Sequence, residues 1–386
     1  MALDPSTLEQ LTNTVQRFVR ERLVPLEAQV ARDDRMPADL IQAMRELGLF
    51  GLTVPEAYGG LGLTVEEEAR VVFELGWASP AFRSVIGTNN GIGSQGLVMD
   101  GTEAQKQRYL PGLASGEIIG SFALTEPEAG SDAGALITSA VRDGDHWRLN
   151  GTKRYITNAP QAGLFTVFAR TDPARPGARG VSAFLVPADS PGLSVGVPNK
   201  KMGQQGAQVA DVIFDDCRVA NDALLGGEAN LNKGFGTAMK TLDRGRIHIS
   251  ALSVGCAERL IHDTLRYAIQ RRQFGQAIAE FQLVQAMLAD SRTEAYAARC
   301  MVLDTARRRD LGESVNMLAS CCKLFATEMV GRVADRAVQI HGGAGYMEEY
   351  GIERFYRDVR LFRIYEGTSQ IQQTVIARNM IRDAGP

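Results

Sequence analysis

Apolar positions recur along this chain with two different periods, and the change between them divides it in three. Leu8, Leu11, Val15, Phe18 and Val19 recur at helical spacing, which turns one helix face toward a core. Ser6 with Glu9 predicts a capping box at the start of that helix, and Pro25 predicts its end or a kink. Further helices are predicted over 38–47, closed by Gly48, and over 65–75 and 103–110, with a loop across 54–62. From about Ile119 to Val219 the pattern shortens to β-branched and aromatic runs at 146–149, 164–169, 181–186, 193–197 and 211–214. Asn150-Gly151 predicts a tight hairpin joining 146–149 to 153–156. Short strands at regular spacing suggest a small barrel or sandwich, not alternating βαβ units. From about Lys233 helical spacing returns. Leu318, Cys322, Phe325, Met329, Val333, Ala337 and Ile340 form one stripe, and Leu283, Met287, Ala295 and Met301 lie on another long helix, with Gly275 and Gly312 as punctuation. Long helices with short links read as an antiparallel four-helix bundle. The expected architecture is mostly α with a central β domain: a helical domain over 1–118, a small β-barrel over 119–232 and a bundle over 233–386.

Composition narrows the classes. The net charge of −3 over 386 residues gives no electrostatic footprint for nucleic acid. No stretch is long and apolar enough to insert in a membrane, and Met1–Pro5 lacks the basic start of a secretory signal. Cys217, Cys256, Cys300, Cys321 and Cys322 are odd in number and irregularly spaced, with no C-x-x-C. That predicts reduced, mostly buried thiols in a cytoplasmic protein, with no metal site. Gly91-Ile92-Gly93-Ser94-Gln95-Gly96 matches G-x-G-x-x-G, but the polar 83–90 before it cannot be the buried strand that a dinucleotide fold requires. A helical turn or loop is expected there.

Candidate chemistry concentrates in a few segments. Within 357–372, Glu366 sits between Tyr365 and Gly367 among apolar and small polar residues. A carboxylate that loses water has its charged form disfavoured, which makes it a useful base near neutral pH. Thr125-Glu126-Pro127-Glu128-Ala129-Gly130-Ser131-Asp132 and Gly151-Thr152-Lys153-Arg154-Tyr155-Ile156-Thr157-Asn158 combine small residues with hydroxyls. Such a backbone can approach a flat, polar ring edge. Asp243 and Arg246, three apart, are neighbours on one helix face, either as an ion pair or as part of a site. Arg271-Arg272 would suit a helix C-terminus.

Together these segments closely resemble the signatures of the acyl-CoA dehydrogenases, in the same order and spacing over nearly the whole chain. The resemblance implies that Glu366 removes the proton α to a thioester while FAD takes a hydride from the β carbon, giving a trans-2-enoyl-CoA. It implies that Thr125 binds the flavin's pyrimidine edge, Thr157 its N5, and Ser131 the pantetheine arm or the flavin. Tyr155 stands where many members carry tryptophan and keeps an aromatic face there. Arg271, with Gln273 and Phe274, would contact the FAD pyrophosphate of a neighbouring subunit. Gln339, Gly343, Thr368 and Gln370 complete that part of the site. Asp243 would reach the pantetheine, and Arg246 would support the site. Some members place the catalytic glutamate where this chain has Gly245, so the base is assigned to Glu366. His341 is read as structural or as a minor cofactor contact.

The acyl tail is implied near Ser84, Thr88 and Ile92, with Tyr365 and Gly367. Arg83-Ser84 resembles a pair in glutaryl-CoA dehydrogenase, where the arginine holds the substrate's far carboxylate; the other reading is an arginine salt-bridged at a domain seam. The family further implies an electron-transfer flavoprotein as acceptor, a place in fatty-acid β-oxidation, and a homotetramer, a dimer of dimers, with FAD shared between subunits. The expected substrate is a short- or medium-chain acyl-CoA, branched or not. The alternatives are a dicarboxylyl-CoA, with or without decarboxylation, an acyl-CoA oxidase or flavin monooxygenase on the same fold, and a non-catalytic helical assembly protein.

Overall fold

The computed structural model describes residues 2–385; Met1 and Pro386, the end positions of the expected outer domains, lie outside the described residues. Helix α1 spans Pro5–Phe18. Its cap is Asp4, not the expected Ser6. The Asp4 carboxylate accepts from the backbone N–H groups of Ser6 and Thr7, both at 3.0 Å, and Pro5 needs no partner because it has no N–H. A π-helical turn (Val19–Leu23) and a 3-10 turn (Val24–Leu26) carrying Pro25 then bend the chain into α2 (Glu27–Asp33). Helices α3 (Ala38–Glu46), α4 (Val65–Leu75), α5 (Pro80–Asn90), α6 (Gln95–Asp100) and α7 (Glu103–Ser115) follow. The Gly91–Gly96 run joins α5 to α6 with no strand before it, as expected.

The middle of the chain is a seven-stranded sheet curled into a half-barrel. Its strands are β1 (Gly120–Ala123), β2 (Ser139–Asp143), β3 (His146–Thr157), β4 (Leu164–Arg170), β5 (Val181–Pro187), β6 (Leu193–Val195) and β7 (Val209–Ala220). They lie in the order β1-β4-β2-β3-β7-β6, with β5 paired to the other edge of β4. The hairpin expected at Asn150-Gly151 is absent. Strand β3 runs straight through both residues, and its register on β7 shifts between Leu149 and Gly151. This is a bulge, clamped by Asp216, whose N–H donates to the Asn150 side chain while that side chain donates back to the Asp216 carboxylate. The tight turn falls earlier, where Asp143 pairs His146. A second register shift lies between Lys153 and Ile156, where Tyr155 takes φ +59°.

The last third holds α8 (Gly234–Gln270), the small ladder β8 (Arg272–Gln273) with β9 (Gln276–Ala277), then α9 (Gln282–Asp310), α10 (Asn316–His341), α11 (Gly343–Tyr346), α12 (Ile352–Val359) and α13 (Ser369–Ala384). Helices α8, α9, α10 and α13 form the bundle. Met329, Val333, Ala337 and Ile340 of the α10 stripe are buried; of Leu283, Met287, Ala295 and Met301 on α9 only Ala295 is, Leu283 being 81% exposed, and α9 packs instead through Ala298, Val302 and Ala306. One continuous core joins the bundle to α1, α3, α4 and α5. Its tightest seam is where α4 runs out against α8: a Cβ on Gly76 would lie 2.6 Å from the Leu252 carbonyl and 2.8 Å from the Gly255 Cα. Two glycines thus bring the backbones into contact. The sheet has its own core around Trp147, Phe165, Phe184 and Phe214. All five cysteines are free, with Cys217, Cys256 and Cys322 buried and Cys300 exposed. Among the described residues no helix is long and apolar enough to cross a membrane.

Candidate active site

The N-terminal helices, the sheet and the bundle meet around a cavity of about 530 Å³. Glu366 enters it from the turn before α13. Both Glu366 (φ +53°) and Gly367 (φ +90°) are left-handed there, a strained backbone for a non-glycine residue. Neighbours hold that turn. The Gln372 amide donates to the Glu366 and Gly367 carbonyls, each at 3.1 Å, and the buried Lys323 donates to the Gly367 carbonyl at 2.7 Å. The Glu366 Oε2 is enclosed with no hydrogen-bond partner. Burial raises the Glu366 pKa above the ordinary carboxylate value, against the pull of Arg83, Lys323 and Arg246. Lys323 is pushed down to about 8 by its own burial, partly offset by Glu366.

Gly245 of α8 lies directly against this carboxylate, so that a Cβ there would overlap Oε2. Gly245→Ala is therefore expected to displace Glu366 and lower kcat by about a hundredfold, since a shift near 1 Å in a reacting group costs that much. Steady-state kinetics on the folded variant would show it; an unchanged kcat would mean that the carboxylate acts from another position.

The sheet side of the cavity carries Thr125, Gly130, Ser131, Tyr155, Ile156 and Thr157. Its two motif segments are bolted together by a buried ion pair. Lys153, 0% exposed, donates to Glu126 at 2.7 Å and to the Leu124 carbonyl at 3.1 Å. Glu126 in turn accepts from the Ile137 and Thr138 N–H groups, and the Arg154 N–H donates to the Thr125 carbonyl at 2.8 Å. The bulge between Lys153 and Ile156 leaves the Tyr155 ring 64% exposed. Among the described residues the hydroxyls of Thr125, Ser131 and Thr157 have no hydrogen-bond partner. Free hydroxyls beside an open aromatic face fit a planar ring with a polar edge, which is what a flavin offers. Asn158 (φ +63°) ends the strand by donating to the Ser84 carbonyl at 2.9 Å and to the Thr88 hydroxyl at 2.8 Å. It thereby sets the sheet against α5.

At the other end α5 contributes Arg83, Ser84 and Thr88, joined by Lys201 and Gln204 from the loop between β6 and β7 and by Tyr365. Arg83 makes no ion pair among the described residues, so it is not the salt-bridged seam arginine of the second sequence reading. Its Nε donates to His248 Nε2 at 2.6 Å. Its terminal nitrogens have no partner among the described residues. The Tyr365 hydroxyl is likewise unpaired. Gln204 is anchored from behind: its N–H and side chain both donate to Asp358, which also accepts from the Ser79 hydroxyl at 2.8 Å. Asp358 of α12 thus ties the β6–β7 loop and the start of α5 together.

The structure brings Arg83, Ser84, Thr88, Thr125, Ser131, Tyr155, Thr157, Arg246, Tyr365, Glu366 and Gly367 to one cavity. Asp243 stands one turn behind, accepting from Arg246 at 2.7 Å and Asn316 at 2.9 Å. Arg271, Gln273, Phe274, Gln339 and Gly343 do not line it. They are exposed where α8 and α10 end, a place marked by the Tyr267–His341 stack. Thr368 caps α13 through the Ile371 N–H, and Gln370 is exposed. Sequence reasoning missed Lys201, Gln204, Lys323 and the partners of Arg83. One signal was available: Ser320, Lys323 and Thr327 share a helix face and are all fully buried, so polar residues there recur with the core period.

Three family models match the chain: acyl-CoA dehydrogenase N-terminal domain over residues 5–117, middle domain over 121–217 and C-terminal domain over 232–381. The chain is 42% identical to the probable acyl-CoA dehydrogenase YngJ of Bacillus subtilis over 97% of its length and 98% of that protein's. It is 39% identical to the caffeyl-CoA reductase-Etf complex subunit CarC of Acetobacterium woodii over 92% of each chain. Among solved structures, butyryl-CoA dehydrogenase from Megasphaera elsdenii superposes with a TM-score of 0.94 at 34% identity, covering 99% of this chain and 100% of that one.

Proposed function

Because the chain belongs to the acyl-CoA dehydrogenase family, we propose that Glu366 takes the α proton of an acyl-CoA thioester in an FAD-dependent α,β-dehydrogenation that yields a trans-2-enoyl-CoA. One observation carries this reading: Glu366 lines the cavity with a carboxylate that accepts no hydrogen bond among the described residues, Oε2 being enclosed beside Gly245, and its backbone N–H is also free among the described residues. A single residue thus offers a base for the α proton and a donor for the thioester oxygen on which charge develops. Thr125, Ser131, Tyr155 and Thr157 would hold the flavin. FAD, when bound, supplies the hydride-accepting chemistry. Arg246, its charge shared with Asp243, and Lys323 keep a cationic field on Glu366. Phe122, Phe235, Met239 and Leu242 give the cavity apolar walls that exclude water. By microscopic reversibility a protonated Glu366 would return the proton to an enoyl-CoA, the direction in the name of the Acetobacterium woodii relative.

That same name supports an electron-transfer flavoprotein as partner. The exposed Arg271–Phe274 segment, with Phe274 94% exposed, and the exposed Gln339 and Gly343 nearby support a cofactor site completed by a second subunit in a homotetramer. Free thiols, including the exposed Cys300, suit a reducing cytoplasm.

The acyl end favours a second reading. Arg83 and Lys201, beside Ser84 and Gln204, make this end of the cavity polar and cationic. A plain hydrocarbon tail gains nothing from it, whereas an arginine fork suits a carboxylate. A dicarboxylyl-CoA of glutaryl type is the substrate this end fits. The test is to purify the protein, record its visible spectrum, and titrate it anaerobically with butyryl-, octanoyl-, isobutyryl- and glutaryl-CoA. Bleaching of a flavin band is expected, strongest with glutaryl-CoA. A colourless protein, or a flavin that none of them bleaches, would overturn the reading. Rapid reoxidation in air without an acceptor protein would turn it toward an oxidase.

A further inference from the structure

Behind Arg83 lies a buried chain of groups that neither the proton abstraction nor the cofactor requires. His248 of α8 accepts from Arg83 Nε through its Nε2, and its Nδ1 meets Glu68 Oε1 of α4, both at 2.6 Å. The other Glu68 oxygen accepts from Arg244 Nε and Nη2 at 3.1 and 2.9 Å. Arg83, Glu68 and His248 are all buried. The bonding fixes the imidazole tautomer: Nε2 accepts, so the proton sits on Nδ1 and is donated to Glu68. Arg244 matches the Glu68 charge, and the Arg83 charge is left unmatched.

We propose that His248 is a positioning residue which, backed by Glu68 and Arg244, holds the Arg83 guanidinium by its Nε edge and turns its two terminal nitrogens toward the acyl end of the cavity as an unneutralised cation. The inference deepens the carboxylate-tailed reading of the substrate and rests on it for the identity of the anion. A carboxylate in place of His248 would pair with Arg83 and cancel its charge. An imidazole accepts the same hydrogen bond with no charge of its own, provided that it stays neutral. Burial, with the nearby Arg83, pushes the His248 pKa down to about 4 despite Glu68, so it is neutral across the physiological range. Arg83 also folds over Gly87, where a Cβ would lie 2.7 Å from its Nε and Cζ. The guanidinium is therefore confined on two sides, by His248 and Gly87, in a residue that lines the cavity.

Without the imidazole, Arg83 is expected to draw back toward Glu68, whose Oε1 would lose its donor. Two properties should then change together. The preference for an acyl group with a terminal carboxylate should fall, and so should the cationic field on Glu366. The charged groups acting on Glu366 are Arg83 from α5, Lys323 from α10, Arg246 from α8 and, with opposite sign, Glu68 from α4. Withdrawing Arg83 should raise the acid limb of its pH profile.

The experiment compares the FAD-loaded wild type with Arg83→Gln, His248→Leu and His248→Gln. It reads kcat and KM for glutaryl-CoA and butyryl-CoA, and the pH profile of kcat/KM for butyryl-CoA. Glutamine can accept from Arg83 and donate to Glu68, so His248→Gln is expected to stay near wild type. His248→Leu is expected to follow Arg83→Gln, with the glutaryl-to-butyryl ratio of kcat/KM at least about tenfold lower, through the KM for glutaryl-CoA, as for one lost charge-assisted contact, and with an acid limb at higher pH. A His248→Leu enzyme matching wild type in both readouts, or a His248→Gln enzyme as impaired as the leucine variant, overturns the proposal. If Arg83→Gln leaves the ratio unchanged, the carboxylate-tailed substrate is wrong and the acid limb decides. A shift shared by Arg83→Gln and His248→Leu supports the positioning role; a shift in Arg83→Gln alone, or in neither, ends it. Should His248→Leu not fold, His248→Ala with and without added imidazole gives the same reading: recovery supports the proposal and its absence overturns it.

Discussion

Glu366→Gln is expected to lower kcat by about a thousandfold or more, at the upper end of what a positioned general base supplies, while the protein keeps its flavin. Glutamine matches the size of the side chain, so the close fit against Gly245 survives. The backbone turn is held by Gln372 and Lys323 through carbonyl groups, so the Glu366 N–H should stay aimed at the thioester oxygen and KM should change little. What is lost is the ability to accept a proton. The pH dependence follows from the same burial. Transfer from water disfavours the carboxylate, and Arg83, Lys323 and Arg246 only partly restore it. The folded pKa therefore lies above the carboxylate value of 4.5. The base works only when ionised, so kcat/KM should fall as pH drops through that raised value, an acid limb that the glutamine variant should lack. Single-turnover reduction of the flavin by the best substrate of the titration measures both amplitude and limb. Reduction at a near-normal rate in Glu366→Gln would remove Glu366 as the base.

Much of this site was legible because its chemistry lies in contiguous segments, and much of the fold because amphipathic helices announce their own period. The helix read over 65–75 coincides with α4, and Glu366 stands in the cavity where its segment placed it. Several of the misreadings share one cause, a partner distant in sequence. Asn-Gly suits a tight turn and a bulge equally well, and the choice is made by Asp216 and the rest of β7. Strands β1 and β2, of four and five residues, carry too little alternation to stand out and exist because β4 and β3 pair with them. Ser6 is a local miss: Asp4, two residues earlier, takes the N–H groups of Ser6 and Thr7, so the helix starts before Ser6 can cap it. Arg83 is the sharpest case of a distant partner. Its neighbours in sequence cannot say whether a carboxylate or a neutral imidazole meets it, because its partner lies 165 positions away.

Lys153→Met is expected to be the most destabilising of the single changes considered, and to act on the cofactor site without touching the base. Lys153 is fully enclosed, and burial pushes its pKa down to about 8 although Glu126 pulls the other way. Methionine fills the volume but leaves Glu126 facing the interior with two backbone donors and no counter-charge. Breaking one side of a buried pair in this way typically costs about 3–5 kcal/mol, well beyond the effect of a surface pair. The loss should be local before it is global. The pair fastens the segment bearing Thr125 and Ser131 to the strand bearing Tyr155 and Thr157, so hydrogen exchange should rise first across 124–131. Flavin should be lost on gel filtration under conditions in which Glu366→Gln retains it. Pairing the change with Glu126→Gln separates charge from packing. The Ile137 and Thr138 N–H groups donate to different Glu126 oxygens, so the single amide oxygen keeps only one of those bonds, and the double variant should recover only part of the stability if the stranded charge is the cause. A double variant no better than Lys153→Met would mean that the lysine acts through its bond to the Leu124 carbonyl. A single variant as stable as wild type would mean that Glu126 simply takes up a proton and that the two signatures are joined by backbone alone.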